Sequence, residues 1–391
     1  MAPRTAPPFR ADHVGSLLRP PALLRARADR AAGTITADQL TQAEDDAIRD
    51  AVAMQEAAGL RSATDGEFRR AEWHTDFISR LGGLRYAAGW TPVPVFGSDT
   101  DTIYQAHATQ VTGKVHLAEP IFADHFRFLA SAVTTAVPKL TIPSPSMAHF
   151  RADLSGSGYA GRDEFRADLA AAYADEITAL TALGCTYLQF DDTLFAFLND
   201  PAWRERAAAT GIDPEHQHEI NVAVINQALA GRPDGLTVTV HMCRGNYRSA
   251  WFSSGGYDFV AEAVFSGLQA DGYFLEYDDE RSGTFEPLRF VAKDKVVVLG
   301  LVTTKTPALE SKDDLKRRVE AAARYVDADR LCLSPQCGFA STVEGNALTL
   351  DQQRAKLDQL VTNRYSLDEV NQGYRDMLDG RNIRGLLIHD S

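Results

Sequence analysis

The chain has 391 residues and a formal net charge of −13, with 45% hydrophobic and 24% charged residues, the balance of a globular protein with a sizeable core. An acidic chain without a basic block argues against nucleic-acid binding, because phosphate contact rests on Lys and Arg, and no apolar run is long enough to span a membrane. The opening MAPRTAPPFRADH holds no apolar h-region, and four cysteines are too few for a disulfide scaffold, so a cytoplasmic protein with free thiols is expected.

The first β-prone run covers residues 11–16. Thr36 and Gln39 then form a Thr-x-x-Gln capping box, opening a helix expected to reach about Ala58. β-prone runs at 61–67 and 138–144 follow. Between them lies a long segment, 71–137, whose stretch GWTPVPVFGSDTDTIYQAHATQVTGKVHL is rich in Val, Thr and Tyr and predicts an inserted hairpin. A helix over 162–183 leads to a strand at 186–192, and a helix over 214–229 leads to a strand at 236–243. Strands at 273–278 and 295–302, a helix over 311–326 and a last strand at 330–336 complete the series.

Alternating strands and helices predict an α/β protein with a parallel sheet. Eight such units predict one (β/α)8 TIM barrel over residues 1–391, with a doubly wound open sheet as the competing arrangement. The segments 71–137 and 147–162 exceed ordinary loop lengths. In a barrel such βα insertions lie at the C-terminal face, where they act as a lid or merely decorate the surface.

Alternation along LTVTVHMCRGN turns His241 and Cys243 to one side of the fifth strand. An imidazole and a thiolate two residues apart can chelate a borderline metal, although H-x-C alone is more often a buried structural pair. Cys337 follows the last strand at a Pro/Gly turn, and Glu276 ends an otherwise apolar strand. On a barrel these four residues share one rim and make a tetrahedral zinc set. Cys185 and Cys332 stand near strand beginnings and are expected to be core thiols. Other polar groups gather at strand ends: Gly15 and Ser16, Asp65 and Glu67, Asp191 and Asp192, and Lys305. Each alone reads equally as a loop residue or helix cap, but their concentration on one face reads as a site.

The segments HVGSLLRP, DGEFRR, IPSPS, QFDD, HMCRGN, LEYDDERSG, GLVTTKTP and SPQCGF occur in this order over nearly the whole chain. In them the sequence resembles the catalytic C-terminal half of cobalamin-independent methionine synthase, in a short stand-alone form. The resemblance implies a TIM barrel with Zn2+ held by His241, Cys243, Glu276 and Cys337, Glu280 being a lesser candidate for the carboxylate. It implies that Glu67 and Asp191 contact the ammonium of homocysteine, and that the Gly15-Ser16 turn meets its carboxylate. Zinc ligation would deprotonate a thiol of ordinary pKa about 8.5, and the thiolate would attack an alkyl carbon. Two departures stand out. The region matching a pterin-stacking tryptophan reads PSPSMAHF, with His149 and Phe150, and the position of a histidine proton shuttle holds Lys305. Lysine, with a pKa of about 10.4, is a poor shuttle unless desolvated, and suits an anionic substrate group better.

Three functions are therefore weighed. The first is zinc-dependent methyl transfer to homocysteine, with Asp191 and Lys305 as catalytic candidates and a methylated folate, a methylcorrinoid protein or another small donor as partner. The second is alkyl transfer to another thiol such as coenzyme M, in the manner of 2-hydroxypropyl-coenzyme M lyases, for which Lys305 or Arg69 would serve the sulfonate. The third is a non-enzymatic zinc-binding module.

Overall fold

The computed structural model describes residues 4–86, 91–97, 103–106, 108–150, 152–361, 363–366, 372 and 385–388. Twelve strands matter to the site. In chain order they are β1 (Ser62–Ala63), β2 (Gly82–Tyr86), β3 (Thr91–Pro94), β4 (Ile103–Ala106), β5 (Thr109–His116) and β6 (Val137–Pro138). They continue with β7 (Leu140–Pro143), β8 (Tyr187–Asp192), β9 (Thr237–Met242), β10 (Gly272–Glu276), β11 (Val296–Val302) and β12 (Leu331–Pro335).

Six strands form one sheet in the order β12-β11-β10-β9-β8-β7, every pair parallel. Burial on both faces explains their composition: β11 reads VVVLGLV and every residue in it is buried. The α/β class is as expected. Two of the eight expected strands are much shorter than their β-prone runs. The run at 61–67 is reduced to β1, paired in parallel with β6. The run at 11–16 is reduced to a single parallel bridge between Ala11 and Leu333. Side chains take the place of ladder bonds there: Ser62 Oγ donates to Asp12 Oδ1 at 2.8 Å, and Thr64 Oγ1 to the Gly15 carbonyl at 2.6 Å. Gly15 itself has φ +153, and a Cβ on it would stand 2.7 Å from Thr141 Cγ2.

The helices cover the sheet. Helix Ala37–Ala57 starts with the reciprocal capping box expected of Thr36 and Gln39, and buries Ile48 and Val52. Helix Arg162–Ala182 buries Leu169, Tyr173, Ile177 and Leu180 and packs beside Gln217–Leu229. No helix among the described residues is long and apolar enough to cross a membrane.

The segment 71–137 contains a helical turn at Thr75–Ile78, an antiparallel pair β2–β5, a second antiparallel pair β3–β4 and helix Ala123–Ala132. Phe96, just after β3, exchanges backbone hydrogen bonds with Trp251 in the loop after β9. The Trp251 ring lies where a Cβ on Gly97 would be, at 1.9 Å. The insertion is thus fastened to the loop that follows the His241 strand.

Candidate metal centre and substrate cavity

Strand register assembles the centre. Asp191 on β8 is directly opposite His241 on β9, and neighbours in parallel strands share a face. On the other side Leu275 is opposite Met242, so Glu276 and Cys243 come at the next step. Cys337 enters from the turn after β12, where Gly338 packs on Ser16 so closely that a Cβ there would sit 1.9 Å from Ser16 Oγ.

His241, Cys243 and Cys337 are all buried, and their ligand atoms lie within 4.8 Å of one another. The two sulfurs are 3.6 Å apart and both thiols are free. Two thiolates on one tetrahedral zinc, with bonds of about 2.3 Å, would stand about 3.8 Å apart. Among the described residues the ring nitrogens of His241 make no well-formed hydrogen bond and interact only with the neighbouring Cys337, which leaves them open to a ligand. The donor set and its spacing therefore fit zinc. The hydrogen bond from Cys243 pulls the Cys337 pKa well down against the effect of burial, with His241 adding to it. The same bond, with burial, pushes Cys243 well up.

Glu276 is fully buried beside the three but lies outside the 4.8 Å group. Its carboxylate accepts from the Arg244 amide at 2.5 Å, Arg281 Nη2 at 2.8 Å and Lys305 Nζ at 3.1 Å. Burial works to raise its pKa, but Lys305, Arg281 and Arg244 outweigh burial and hold it ionised. Glu280 is exposed in a short 3-10 turn and stands apart from the group. Lys305 is 6% exposed at its side chain and also faces Asp278 at 3.6 Å. Burial lowers its pKa, yet Asp278 and Glu276 together raise it. It is not among the residues lining the cavity described next.

Above the His241, Cys243 and Cys337 triad opens a cavity lined by Ser16, Glu67, Asp191, His241, Cys243 and Cys337 at its base. Glu67 has φ 61, following Gly66 at φ 65. This left-handed turn is strained for a non-glycine residue. Glu67 Oε1 accepts from Thr141 Oγ1 at 2.8 Å and faces Arg70 at 3.5 Å, while Oε2 is buried without a partner among the described residues. Burial raises the Glu67 pKa against the pull of Arg70. Asp191 accepts from Gln189 Nε2 at 2.7 Å. Burial lifts its pKa to about 7, His241 opposing and Glu67 adding to the rise. Asp192 points the other way and caps the turn at Leu194–Phe197, accepting from Ser144 Oγ at 2.5 Å and the Leu194 amide at 2.7 Å.

The walls are aromatic. Trp73, Tyr86 and Tyr104 come from the insertion, Phe150 from the segment after β7, and Tyr247 and Phe252 from the loop after β9. Sequence reasoning named Phe150 but missed Tyr86, Tyr104 and Tyr247; for the first two the only signal was the aromatic content of the insertion, and Tyr247 gave none. His149 is buried behind the wall, its pKa pushed down to about 3 by burial and then by Arg166 and Arg162. His13 is likewise buried at about 4 by burial and Lys139, and neither histidine lines the cavity. Asn246 reaches the Gly338 carbonyl at 2.7 Å and braces the Cys337 turn. Cys185 and Cys332 are buried thiols pushed up to about 12 by burial. Arg69 pairs with Glu44 and Asp45 and does not line the cavity.

Residues 9–355 match the model of the cobalamin-independent synthase catalytic domain. The chain belongs to that family. Among its relatives, the Bacillus subtilis protein YxjG is 48% identical over 360 residues, covering 92% of this chain and 94% of its own. The methionine synthase of Thermococcus kodakarensis is 26% identical over 329 residues, covering 83% and 85%. A Listeria monocytogenes structure, provisionally assigned as a vitamin-B12-independent methionine synthase, superposes with a TM-score of 0.70 at 35% identity, covering 91% of this chain and 97% of that one. Family and neighbours make this a methionine synthase-like enzyme.

Proposed function

We propose that this protein is a zinc-dependent thiol methyltransferase that converts homocysteine to methionine. The observation that carries the proposal is the buried His241, Cys243 and Cys337 triad at the floor of a cavity whose lining includes Asp191 and Glu67. His241, Cys243 and Cys337 would hold zinc, with Glu276 as the exchangeable fourth ligand. Zinc bound there supplies Lewis-acid stabilisation of a substrate thiolate at neutral pH.

The chain's own residues do the remaining work. Glu67 and Asp191 receive the ammonium of homocysteine, whose positive charge restores the ionised state that burial disfavours. Ser16, pinned by its contact with Gly338, meets the substrate carboxylate. The insertion and the loop after β9 cover the cavity with apolar rings and exclude water from the reacting sulfur. Lys305 acts through Glu276, holding that carboxylate in place, and is a positioning residue. The strand order also supports closure of the sheet into an eight-stranded barrel through β1, β6 and the Ala11–Leu333 bridge, as one domain with the 71–137 insertion as its lid. A cytoplasmic location completes the reading. Transfer to coenzyme M is not favoured, because the Lys305 ammonium is engaged by Glu276 and Asp278.

Zinc-edge X-ray absorption of the purified protein, with and without homocysteine, tests the proposal. Two sulfurs on zinc at rest and three with homocysteine are expected. Zinc with an unchanged sulfur count would refute homocysteine as the thiol. Failure to retain zinc under reducing, metal-replete conditions would refute the mechanism.

A further inference from the structure

We propose that the methyl donor is a small methylated onium cation, a sulfonium or quaternary ammonium, received by the aromatic wall above the metal-ligand triad. This rests on the thiol methyltransferase reading above and names its second substrate.

The first argument is shape. Tyr104 and Tyr247 have ring centroids 5.2 Å apart at 65°, and Tyr104 and Phe252 are 5.4 Å apart at 86°. His74 and Tyr86 stand at 86° with centroids 6.5 Å apart. These rings meet at steep angles; the parallel pair in the same lining, Phe197 and Trp203, is closed on itself with centroids 4.6 Å apart at 20°. A flat heterocycle is best held between parallel plates. A tetrahedral onium group, with its charge spread over methyl groups, is best held where several ring faces converge, the arrangement of an aromatic cage.

The second argument is charge. The cavity that holds the rings also presents Glu67 and Asp191, and its described lining residues include no Lys or Arg. Glu72 stands behind the wall: burial raises the phenol pKa values of Tyr86 and Tyr104, and Glu72 raises them further. Both rings are therefore neutral phenols backed by a carboxylate, which strengthens the attraction of their faces for a cation. Homocysteine is a zwitterion and leaves the cavity negative when it binds. A donor carrying carboxylates would enter against this charge, whereas an onium donor would enter with it.

The third argument is the reaction. The substrate thiolate attacks the methyl carbon of the onium, forming the new S–C bond. The bond from that carbon to the onium sulfur or nitrogen breaks, and its electron pair stays with the leaving atom. The products are methionine and a neutral thioether or tertiary amine. The thiol proton has already gone to solvent, and no proton has to reach the leaving group. Opposite charges are annihilated in the step, and their attraction is strongest in a cavity of low dielectric constant.

The test uses the zinc-loaded protein in the presence of homocysteine. Tetramethylammonium is titrated calorimetrically, with tert-butanol as its neutral isostere, and trimethylsulfonium is supplied as methyl donor. Expected results are saturable binding of tetramethylammonium but not of tert-butanol, and formation of methionine and dimethyl sulfide from trimethylsulfonium. Tyr104→Leu and Tyr247→Leu should each weaken tetramethylammonium about tenfold, while Tyr104→Phe and Tyr247→Phe retain it and homocysteine binding stays unchanged in all four. Homocysteine bound normally with no onium binding, or onium binding indifferent to both leucine variants, would overturn the proposal and leave the proposed function standing. Turnover of a methylated folate or a methylcorrinoid protein with none of the onium would also overturn it. Loss of homocysteine binding in the unmodified protein would instead overturn the proposed function, and the onium donor with it.

Discussion

Asp191→Asn should make the metal-free protein more stable while weakening its hold on homocysteine. The Asp191 carboxyl is buried and its pKa is lifted from 3.8 to about 7, burial being the main cause. In the unfolded chain it ionises near its ordinary value. Below about pH 4 both states are protonated and the group contributes no penalty. Between about pH 4 and pH 7 only the unfolded state is ionised, so stability falls by about 1.4 kcal/mol per pH unit. Above pH 7 the full deficit persists, about 4 kcal/mol for a shift of about three units. Asparagine does not titrate, and its side-chain oxygen keeps the hydrogen bond from Gln189. With an unfolding entropy of about 2.1 cal/mol/K per residue, a chain of 391 residues converts that deficit into roughly 5 °C of Tm. Thermal melts of the two EDTA-treated proteins at about pH 5 and pH 8 should show a gap in favour of the variant that is small at the lower pH and grows toward 5 °C at the higher. The same variant should bind homocysteine about a hundredfold more weakly, since a buried charge pair loses one partner, and an amine-free thiol nearly as well as before. A variant no more stable than the parent at pH 8, or a gap that does not widen with pH, would refute the assignment of Asp191 as a strained carboxylate waiting for a cation.

Cys337→Ala should reduce bound zinc to a small fraction of the parent's, measured per chain by elemental analysis, and abolish turnover; full occupancy would remove Cys337 from the ligand set. Lys305→Ala should lower kcat while zinc content is retained, because Glu276 keeps Arg281 and the Arg244 amide; kinetics identical to the parent would assign Lys305 a purely structural place. Gly338→Ala drives a methyl into Ser16 and should raise KM for homocysteine with little change in zinc, and an unchanged KM would show that Ser16 does not meet the substrate. Glu56 accepts three backbone amides at 134–136 and the Thr134 hydroxyl. These bonds hold its pKa at about 2 against the opposing effect of burial. Its stabilising contribution is present above its ordinary pKa and is lost as pH falls toward 2, so Glu56→Gln should narrow the acid-stability difference between pH 5 and pH 3, read by thermal melts.

Much of this site is written locally in the sequence. Period-two alternation in a strand is enough to align His241 with Cys243, and the same rule separates Asp191, which faces the cavity, from Asp192, which caps the next turn. Strands at 187–192, 237–242 and 296–302 fall within a residue or so of the β-prone runs because they are central strands buried almost throughout. What escaped local reading depends on partners remote in sequence. The runs at 11–16 and 61–67 look like ordinary strands, but Asp12, Ser62 and Thr64 replace ladder bonds with side-chain bonds. Glu276 looks like a free carboxylate at a strand end, and only the fold brings Lys305, Arg281 and the Arg244 amide onto it. The cluster of Tyr104, Tyr247 and Phe252 joins an insertion to a loop some 140 residues later, a meeting that no periodicity announces.

The bridge between Ala11 and Leu333 also has a bearing on biosynthesis. Leu333 and Cys337 lie more than 300 residues after Ala11, so the ribosome makes residues 11–243 before the strand beside residue 11 or the third member of the His241, Cys243 and Cys337 group exists. Until then Ser16 lacks the Gly338 turn it rests on, and His241 and Cys243 offer two donors where a tight zinc site needs at least three. If the triad holds zinc as proposed, a nascent chain that has not reached Cys337 lacks the third donor, and zinc uptake would follow synthesis of the last strand of the sheet. Residues 11–16, made before either, wait for these partners.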